Sequence, residues 1–346
     1  MDTLKMNYNS IDIDWHQVHN VIDAAQSIML TTHENPDGDG LGSEVALYHH
    51  LREVGKDARI INYSSLPNEY NFLGEDKIIE TFNKTEQLDW LKKVDLVIIF
   101  DVGDFNRVRG IKDIIEQYKL ETMNFDHHPH PEDHPFTHNV VNTNAAATGC
   151  MVFDYLQIAR SEPLTKSICD GIYTAVMTDT GCFRYSNTDA KSHTIAMECL
   201  DKGVNTHKIY QLVYENSSKA RVSLLGKILS TLNYELEGQL AWFIVTQDMM
   251  HQASASSSDV DGFSDFVRTI KGVEVALMIY EQSHESCRIN FRSKGKFRVS
   301  DIAQALGGGG HPFAAGSVIE GSLTDLKDEV VKLTEQMIMN QVNAQE

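Results

Sequence analysis

The chain has 346 residues, 42% of them apolar, and a formal net charge of −19 from 30 Lys and Arg against 49 Asp and Glu. That apolar content suffices for a sizeable core, and at roughly 150 residues per domain the length predicts two domains. The charge excludes a protein that grips long duplex nucleic acid with its general surface, because phosphate contacts demand clustered Lys and Arg.

No apolar run approaches the ~18 residues of a membrane span, and residues 1–15 lack the basic patch and apolar core of a signal peptide, so the expected compartment is the cytoplasm. From Ile28 to Asn142 short apolar strands alternate with amphipathic helices, which predicts a mostly parallel sheet with helices on both faces. Residues 28–32 read as the first strand. Leu41, Val45, Tyr48, Leu51 and Val54 then recur at helical spacing until Gly55, and residues 58–63 make the next strand. Residues 94–100 are nearly continuous in apolar side chains, as in a strand buried on both faces, and stop at Asp101. A weaker strand at 122–125 stops at Asp126-His127-His128.

Beyond Asn142 the pattern predicts helices at 147–160, 164–180, 189–201 and 206–214. A helix over 217–233 reads as a connector, giving a catalytic domain over 1–215, a linker helix over 216–238 and a second domain over 239–346. That last part is a smaller α/β unit, with strands at 240–246, 273–280 and 287–292 and helices near 260–270, 299–306 and 323–340. The five cysteines (Cys150, Cys169, Cys182, Cys199, Cys287) are scattered and read as reduced, mostly buried apolar residues.

Ligands of open α/β sheets collect beyond the carboxyl ends of the strands, where His33, Asp37, Asp39, Asp101, Asp126, His127 and His128 all fall. Pro36, Gly38 and Gly40 suggest a sharply turning loop from which Asp37 and Asp39 address neighbouring ions, although such a turn is equally a solvated loop. A carboxylate directly after a buried strand, as at Asp101, must be hydrogen-bonded, solvated or metal-bound; its competing role is a helix N-cap. In Asp126-His127-His128 one imidazole suits ligation and the other substrate, with the carboxylate to orient them, unless the pair is an idle loop feature. Asp179 shares a helical stripe with Ile168, Ile172 and Ala175, so it is expected to point inward, binding a cation or capping the turn before Gly181.

In the second unit, alternation puts Cys287, Ile289 and Phe291 on one face and Arg288, Asn290 and Arg292 on the other, with Lys294, Lys296 and Arg298 continuing the positive charge. A charged edge strand is the alternative, above all for Lys296 and Arg298. The glycines at 307–310, followed by His311 and Ala314-Ala315-Gly316, read as a loop whose N–H groups approach a phosphate, or else as a flexible linker.

The ordered set His33-x-x-x-Asp37-x-Asp39, Asp101, Asp126-His127-His128 and Asp179 resembles the DHH phosphoesterase superfamily, which includes RecJ-type exonucleases, cyclic-di-AMP phosphodiesterases and manganese-dependent inorganic pyrophosphatases. Phe291-Arg292-Ser293 and the glycine-rich residues 307–316 resemble the DHH-associated C-terminal domain. Within the superfamily the pattern is most similar to the bacterial branch of bifunctional oligoribonucleases (nanoRNases) and 3′-phosphoadenosine-5′-phosphate phosphatases.

The resemblance implies two divalent ions, Mn²⁺ by family, though Zn²⁺, Co²⁺ and Fe²⁺ accept similar donors. One would be held by His33, Asp37 and Asp101 and the other by Asp39, Asp101, His127 and Asp179, with Asp101 as the bridge. A water activated between them would attack phosphorus in line. His128 would face a substrate phosphate and Asp126 would support both histidines from behind, so Asp101, Asp126 and His128 are the expected catalytic residues. Arg184, Arg292, Ser293, Gly308, Gly309, Gly310 and His311 are the expected substrate contacts, with an ordinary surface residue as the alternative for Arg184.

The expected function is hydrolysis of oligonucleotides of a few residues to nucleoside 5′-monophosphates, with phosphatase action on 3′-phosphoadenosine 5′-phosphate. A phosphodiesterase for cyclic di-AMP or its linear product pApA is a second enzyme reading, and a non-catalytic nucleotide sensor is one of another class. Expected partners are short single strands or small nucleotides, neither long duplexes nor membranes, with a homodimer open.

Overall fold

Six strands of the first unit, β1 (Ser27–Thr32), β2 (Asp57–Asn62), β3 (Ile79–Thr81), β4 (Leu96–Phe100), β5 (Glu121–Asp126) and β6 (His138–Val141), form one sheet in the order β3-β2-β1-β4-β5-β6. Every neighbouring pair is parallel. The molecule is a computed structural model that describes residues 13–130 and 133–343, and its chain divides into two units, Met1–Asn216 and Ser217–Glu346.

Both sheet faces are covered, as the apolar strand runs predict. Ile28, Leu30, Ile60, Ile98, Phe100 and Phe125 join one core with helices α1 (Trp15–Ala24), α2 (Gly38–Glu53), α5 (Thr148–Ala159), α6 (Lys166–Asp179), α7 (Ala190–Asp201) and α8 (Thr206–Tyr214). Met29, Ile61, Val97 and Ile99 face the other way, against α3 (Lys84–Leu91) and α4 (Gly110–Tyr118). Strand order reverses between β1 and β4. In such sheets the crevice beyond the carboxyl ends at this switch point is where ligands bind, and His33 follows β1 while Asp101 follows β4.

Residues 37–40 are not the loop that Pro36 and the glycines suggest. Asp37 caps α2, its Oδ1 accepting from Asp39 N at 3.0 Å and Gly40 N at 3.2 Å, so Gly38 to Gly40 are already helical. The glycines instead permit close approach: a Cβ on Gly42 would lie 2.3 Å from Gly171 O, and one on Gly171 2.6 Å from Gly42 O. Helices α2 and α6 thus cross backbone to backbone, which brings the end of α6 to the start of α2. Strands β3 and β6 and helix α1 have no counterpart among the expected elements.

The second unit holds a mixed sheet in the order β11-β12-β10-β9-β8-β7. Its strands are β7 (Asn233–Glu235), β8 (Leu240–Val245), β9 (Val275–Ser283), β10 (Ser286–Ser293), β11 (Gly309–His311) and β12 (Ala314–Glu320). Its helices are α9 (Lys219–Leu229), α10 (Gln247–Ala253), α11 (Phe263–Arg268), α12 (Ser300–Ala305) and α13 (Leu323–Asn343). The helix read as a connector, α9, buries Leu224 and Ile228 against Ala241, Phe243 and Phe263, so its apolar side belongs to the second unit's core. Helix α10 was not anticipated, and the helix expected over 260–270 is confined to α11 because Gly262 enters it at a positive φ.

The glycine run is not simply a loop. Gly309, Gly310 and His311 pair with Gly316, Ala315 and Ala314 as an edge strand of a tight hairpin. A Cβ on Gly308 would meet Gly316 O at 2.1 Å, which explains why that position carries none.

Candidate metal centre

Four segments converge at the switch point. Asp101 occupies the left-handed region, φ 58, unusual for a residue with a Cβ, and its amide donates to Phe125 O at 2.9 Å. The two oxygens of its carboxylate look opposite ways. Oδ2 lies 3.5 Å from His33 Nε2, which is itself 3.7 Å from Asp37 Oδ2. Oδ1 lies 3.6 Å from His127 Nε2, which is 3.8 Å from Asp39 Oδ2 and 3.7 Å from Asp179 Oδ2.

The donor sets His33-Asp37-Asp101 and Asp39-His127-Asp179 each have their ligand atoms within 4.8 Å of one another, as does Asp101-His127-His128. Donors sharing one ion at about 2.1 Å stand about 3.0 to 3.5 Å apart, so small rotations close either set on a cation. Imidazole and carboxylate together suit a first-row divalent metal.

Electrostatics point the same way. Burial raises the Asp39 carboxyl well above its usual range, and Asp101, Asp179 and Asp37 add to the effect. Asp179 is pushed up to about 7 by burial, with Asp101 and Asp37 adding and His127 opposing. Burial would lower the His33 imidazole, yet Asp101 and Asp37 raise it to about 10. Asp37, half exposed, is held below the usual carboxylate range by His33 and by the Gly40 and Asp39 amides. Crowded acids that hold protons this tightly fit a site that binds cations.

The helix start at α5 orients Asp39: Thr148 N donates to Oδ2 at 2.7 Å and Gly149 N to Oδ1 at 2.9 Å. His127 places Nδ1 3.1 Å from Ala145 O, which leaves Nε2 turned to the acids. His33 Nδ1 lies 2.8 Å from Glu34 O and 2.9 Å from Arg107 Nη2. A guanidinium only donates, so these contacts need different tautomers, and a cation on Nε2 selects the one donating to Glu34 O.

Asp126 does not support both histidines. Its Oδ1 is 2.7 Å from His128 Nδ1 and accepts from His128 N at 3.1 Å, while Oδ2 is 2.6 Å from His130 Nε2. His127 takes its support from Ala145, because the adjacent ring must point the other way. Burial works against both partners, but Asp126 stays well below the carboxylate range through His128 and His130, and Asp126 and Asp101 raise His128 to about 9. His128 Nδ1 also lies 3.3 Å from Asp101 Oδ1.

Asp179 is not part of the core stripe. Ile168, Ile172 and Ala175 are wholly buried, whereas its side chain, at the last residue of α6, is 30% exposed. The N-cap reading of Asp101 fails as well, since Asp104 caps the following turn. Arg184 is exposed, its Nε donating to Gly181 O at 2.7 Å.

In the second unit the expected alternation holds: Cys287, Ile289 and Phe291 are buried. Ser293 is buried on that same face, opposite to Arg292, and its Oγ accepts from Gly295 N at 3.1 Å, so it secures a turn. Arg292 Nε faces Asp265 Oδ2 at 3.1 Å, and Nη1 donates to Asn290 Oδ1 at 3.2 Å. His311 and the open Gly309 lie on the edge strand.

Sequence reasoning missed Arg107, His130, Thr148 and Asn187. The helix start near Ala147 was legible as an anion-binding terminus, and His130 stands two residues after His128; Arg107 and Asn187 have no local signal.

A parallel sheet with acids and imidazoles at its switch point, followed by a mixed-sheet unit with a glycine hairpin, defines a class. The model of the DHH family, N-terminal domain, matches residues 27–176, and that of the DHHA1 domain matches residues 242–340. The chain belongs to the DHH family. It is 31% identical over 297 residues to the bifunctional oligoribonuclease and PAP phosphatase NrnA of Thermus thermophilus, covering 85% of this chain and 84% of that protein. The protein of the same name from Bacillus subtilis is 26% identical over 298 residues, covering 85% and 89%. The crystal structure of an exopolyphosphatase-related protein from Bacteroides fragilis matches with a TM-score of 0.88 and 26% identity, over 96% of this chain and 97% of that one. Exonuclease RecJ bound to manganese matches at 0.53 and 12% identity, over 94% of each chain, a likeness of fold alone.

Proposed function

We propose that this chain hydrolyses phosphoester bonds of short oligonucleotides, releasing nucleoside 5′-monophosphates, and removes the 3′-phosphate of 3′-phosphoadenosine 5′-phosphate. The observation that carries the reading is the Asp101 carboxylate, whose two oxygens face two separate donor sets. His33, Asp37 and Asp101 would hold one divalent cation and Asp39, His127, Asp179 and Asp101 the other, with Mn²⁺ the ion that the family resemblance implies. The two cations supply Lewis-acid activation of water and neutralise charge on the phosphoryl group.

The remaining chemistry belongs to side chains. His128, its Nδ1 held by Asp126, binds a non-bridging phosphate oxygen and meets the charge that builds there. His130 keeps Asp126 from swinging away from His128. Arg184 lies close in sequence to Asp179 and adds positive charge. In the second unit Arg292, His311, Gly309 and Gly310 are the contacts proposed for a nucleotide, Asp265 and Asn290 holding the guanidinium in one orientation; the Gly308 amide, expected among them, is taken by Ala303 O at 2.8 Å. A local positive site of this kind suits a small anionic substrate on an otherwise acidic protein.

The test is a time course on an end-labelled trinucleotide and on 3′-phosphoadenosine 5′-phosphate with Mn²⁺, alongside cyclic and linear dinucleotides. Stepwise release of mononucleotides that disappears in Asp101→Asn supports the reading. Cleavage confined to the cyclic dinucleotide, or turnover undiminished in Asp101→Asn, removes it.

A further inference from the structure

The segment between the two family matches has an unusual backbone. Gly181, Cys182 and Phe183 take φ values of 55, 58 and 61 in succession, a left-handed turn that residues with a Cβ adopt at a cost. Buried Thr180 holds it: Oγ1 accepts from Phe183 N at 3.1 Å, and its carbonyl accepts from Arg184 N at 2.9 Å and Tyr185 N at 3.0 Å.

The reversal returns Asn187 to the end of the helix the chain has just left. Asn187 Nδ2 lies 3.1 Å from Asp179 Oδ2, 3.1 Å from Asp179 O and 2.9 Å from Ala146 O. Ala146 sits beside Ala145, which orients His127, and just before Thr148 and Gly149, whose amides orient Asp39. The donors Asp39, His127 and Asp179 are thus all referenced to one short stretch, Asp179 through Asn187. Among the described residues Asn187 makes no hydrogen bond to His33, Asp37 or Asp101.

We propose that Asn187 is a positioning residue: it sets the Asp179 carboxylate for the cation held with Asp39 and His127, and the left-handed turn exists to deliver it. The inference rests on the two-cation reading above. Asn187 is exposed and contributes little packing, while its bonds to Ala146 O and Asp179 O also tie the start of α5 to the end of α6, so melting is read beside metal affinity.

The test is Mn²⁺ titration of the metal-stripped, full-length protein by calorimetry and electron paramagnetic resonance, with thermal melting of the same samples. The wild type is expected to take two ions. Asn187→Ala should bind one as tightly as the wild type and the other about 10- to 100-fold more weakly, the range for removing a ligand's hydrogen-bond partner. Asn187→Gln, which keeps the amide but displaces it by one methylene, should weaken the same ion less. In an Asp179→Ala background, Asn187→Ala should have no further effect on metal affinity. Equal weakening of both ions, no weakening, or an undiminished effect in that background overturns the proposal. Fewer than two ions in the wild type instead overturns the two-cation reading.

Discussion

The two sheets handle charge by opposite rules. In the first unit every strand pair is parallel and both faces are covered, so ionisable groups gather where the strands end, and carboxylates Asp37, Asp39, Asp101 and Asp179 meet at one place. In the second, antiparallel β10 spaces Arg288 and Arg292 along one face of a strand, Arg288 against Asp261 and Arg292 against Asp265, which also meets Arg268. A parallel sheet thus concentrates like charge until a cation is needed. An antiparallel strand spaces its like charges apart along one face.

That contrast is broken or sharpened by substitution. Asp101→Asn should lower turnover by more than about 100-fold, beyond the cost of losing an outer hydrogen-bond partner. The metal-free protein should melt no lower, because Asn tolerates the left-handed conformation and one carboxylate leaves the crowd. Steady-state kinetics and melting of the stripped protein check both halves; a fall of several degrees would show that the acids are not under mutual repulsion.

Arg292→Ala should raise KM roughly 10- to 100-fold with kcat within a few-fold, since hydrogen bonds to charged groups contribute about 1.5–3 kcal/mol. An equal fall in kcat at unchanged KM would place the second unit's positive charge in the chemical step. Next in size, Gly42→Ala should cost about 1–3 kcal/mol by forcing α2 off α6, whereas Gly309→Ala, which meets nothing within 4 Å, should cost less than about 0.5 kcal/mol. Denaturant melts of the pair measure this, and equal losses would contradict the close crossing.

The smallest effect is a slope. Glu44 on α2 is wholly buried, with Oε2 accepting from Asn62 Nδ2 at 2.9 Å and Oε1 unpaired. Burial raises it from 4.5 to about 8, against Asn62 and His33. The folded protein therefore keeps a proton that the unfolded chain releases, so this contribution to stability is full below pH 4.5 and declines until about pH 8. Glu44→Gln should flatten that part of the stability curve, and chemical melts between pH 5 and about pH 8 read it. A slope identical to the wild type's would mean that Glu44 ionises as it does in water.

Much of this was legible beforehand, for physical reasons. The run at 94–100 reads as a strand buried on both faces, which Leu96–Phe100 is, and Asp101 marks where the strand ends. The two-residue alternation of Cys287, Ile289 and Phe291 survives intact because each side of β10 meets a different environment. Legibility failed where a side chain's partner comes from elsewhere in the chain. Ser293 is a substrate contact by the Phe291-Arg292-Ser293 resemblance, yet neighbours in a strand face opposite ways and Ser293 is buried. The run at 307–310 reads as a loop because glycine carries no pattern, yet Gly309 and Gly310 pair as a hairpin edge.

The amino-acid sequence by itself determined the parallel sheet, the strand ends and the acids and imidazoles that follow them, because periodicity and burial leave a local trace. Only the tertiary structure decided which group orients which: Asp39 on the amides of Thr148 and Gly149, Asp126 on His128 and His130, and Asp179 beside Asn187. Hydrogen-bond direction and close approach between distant segments follow from packing. They have no period to read.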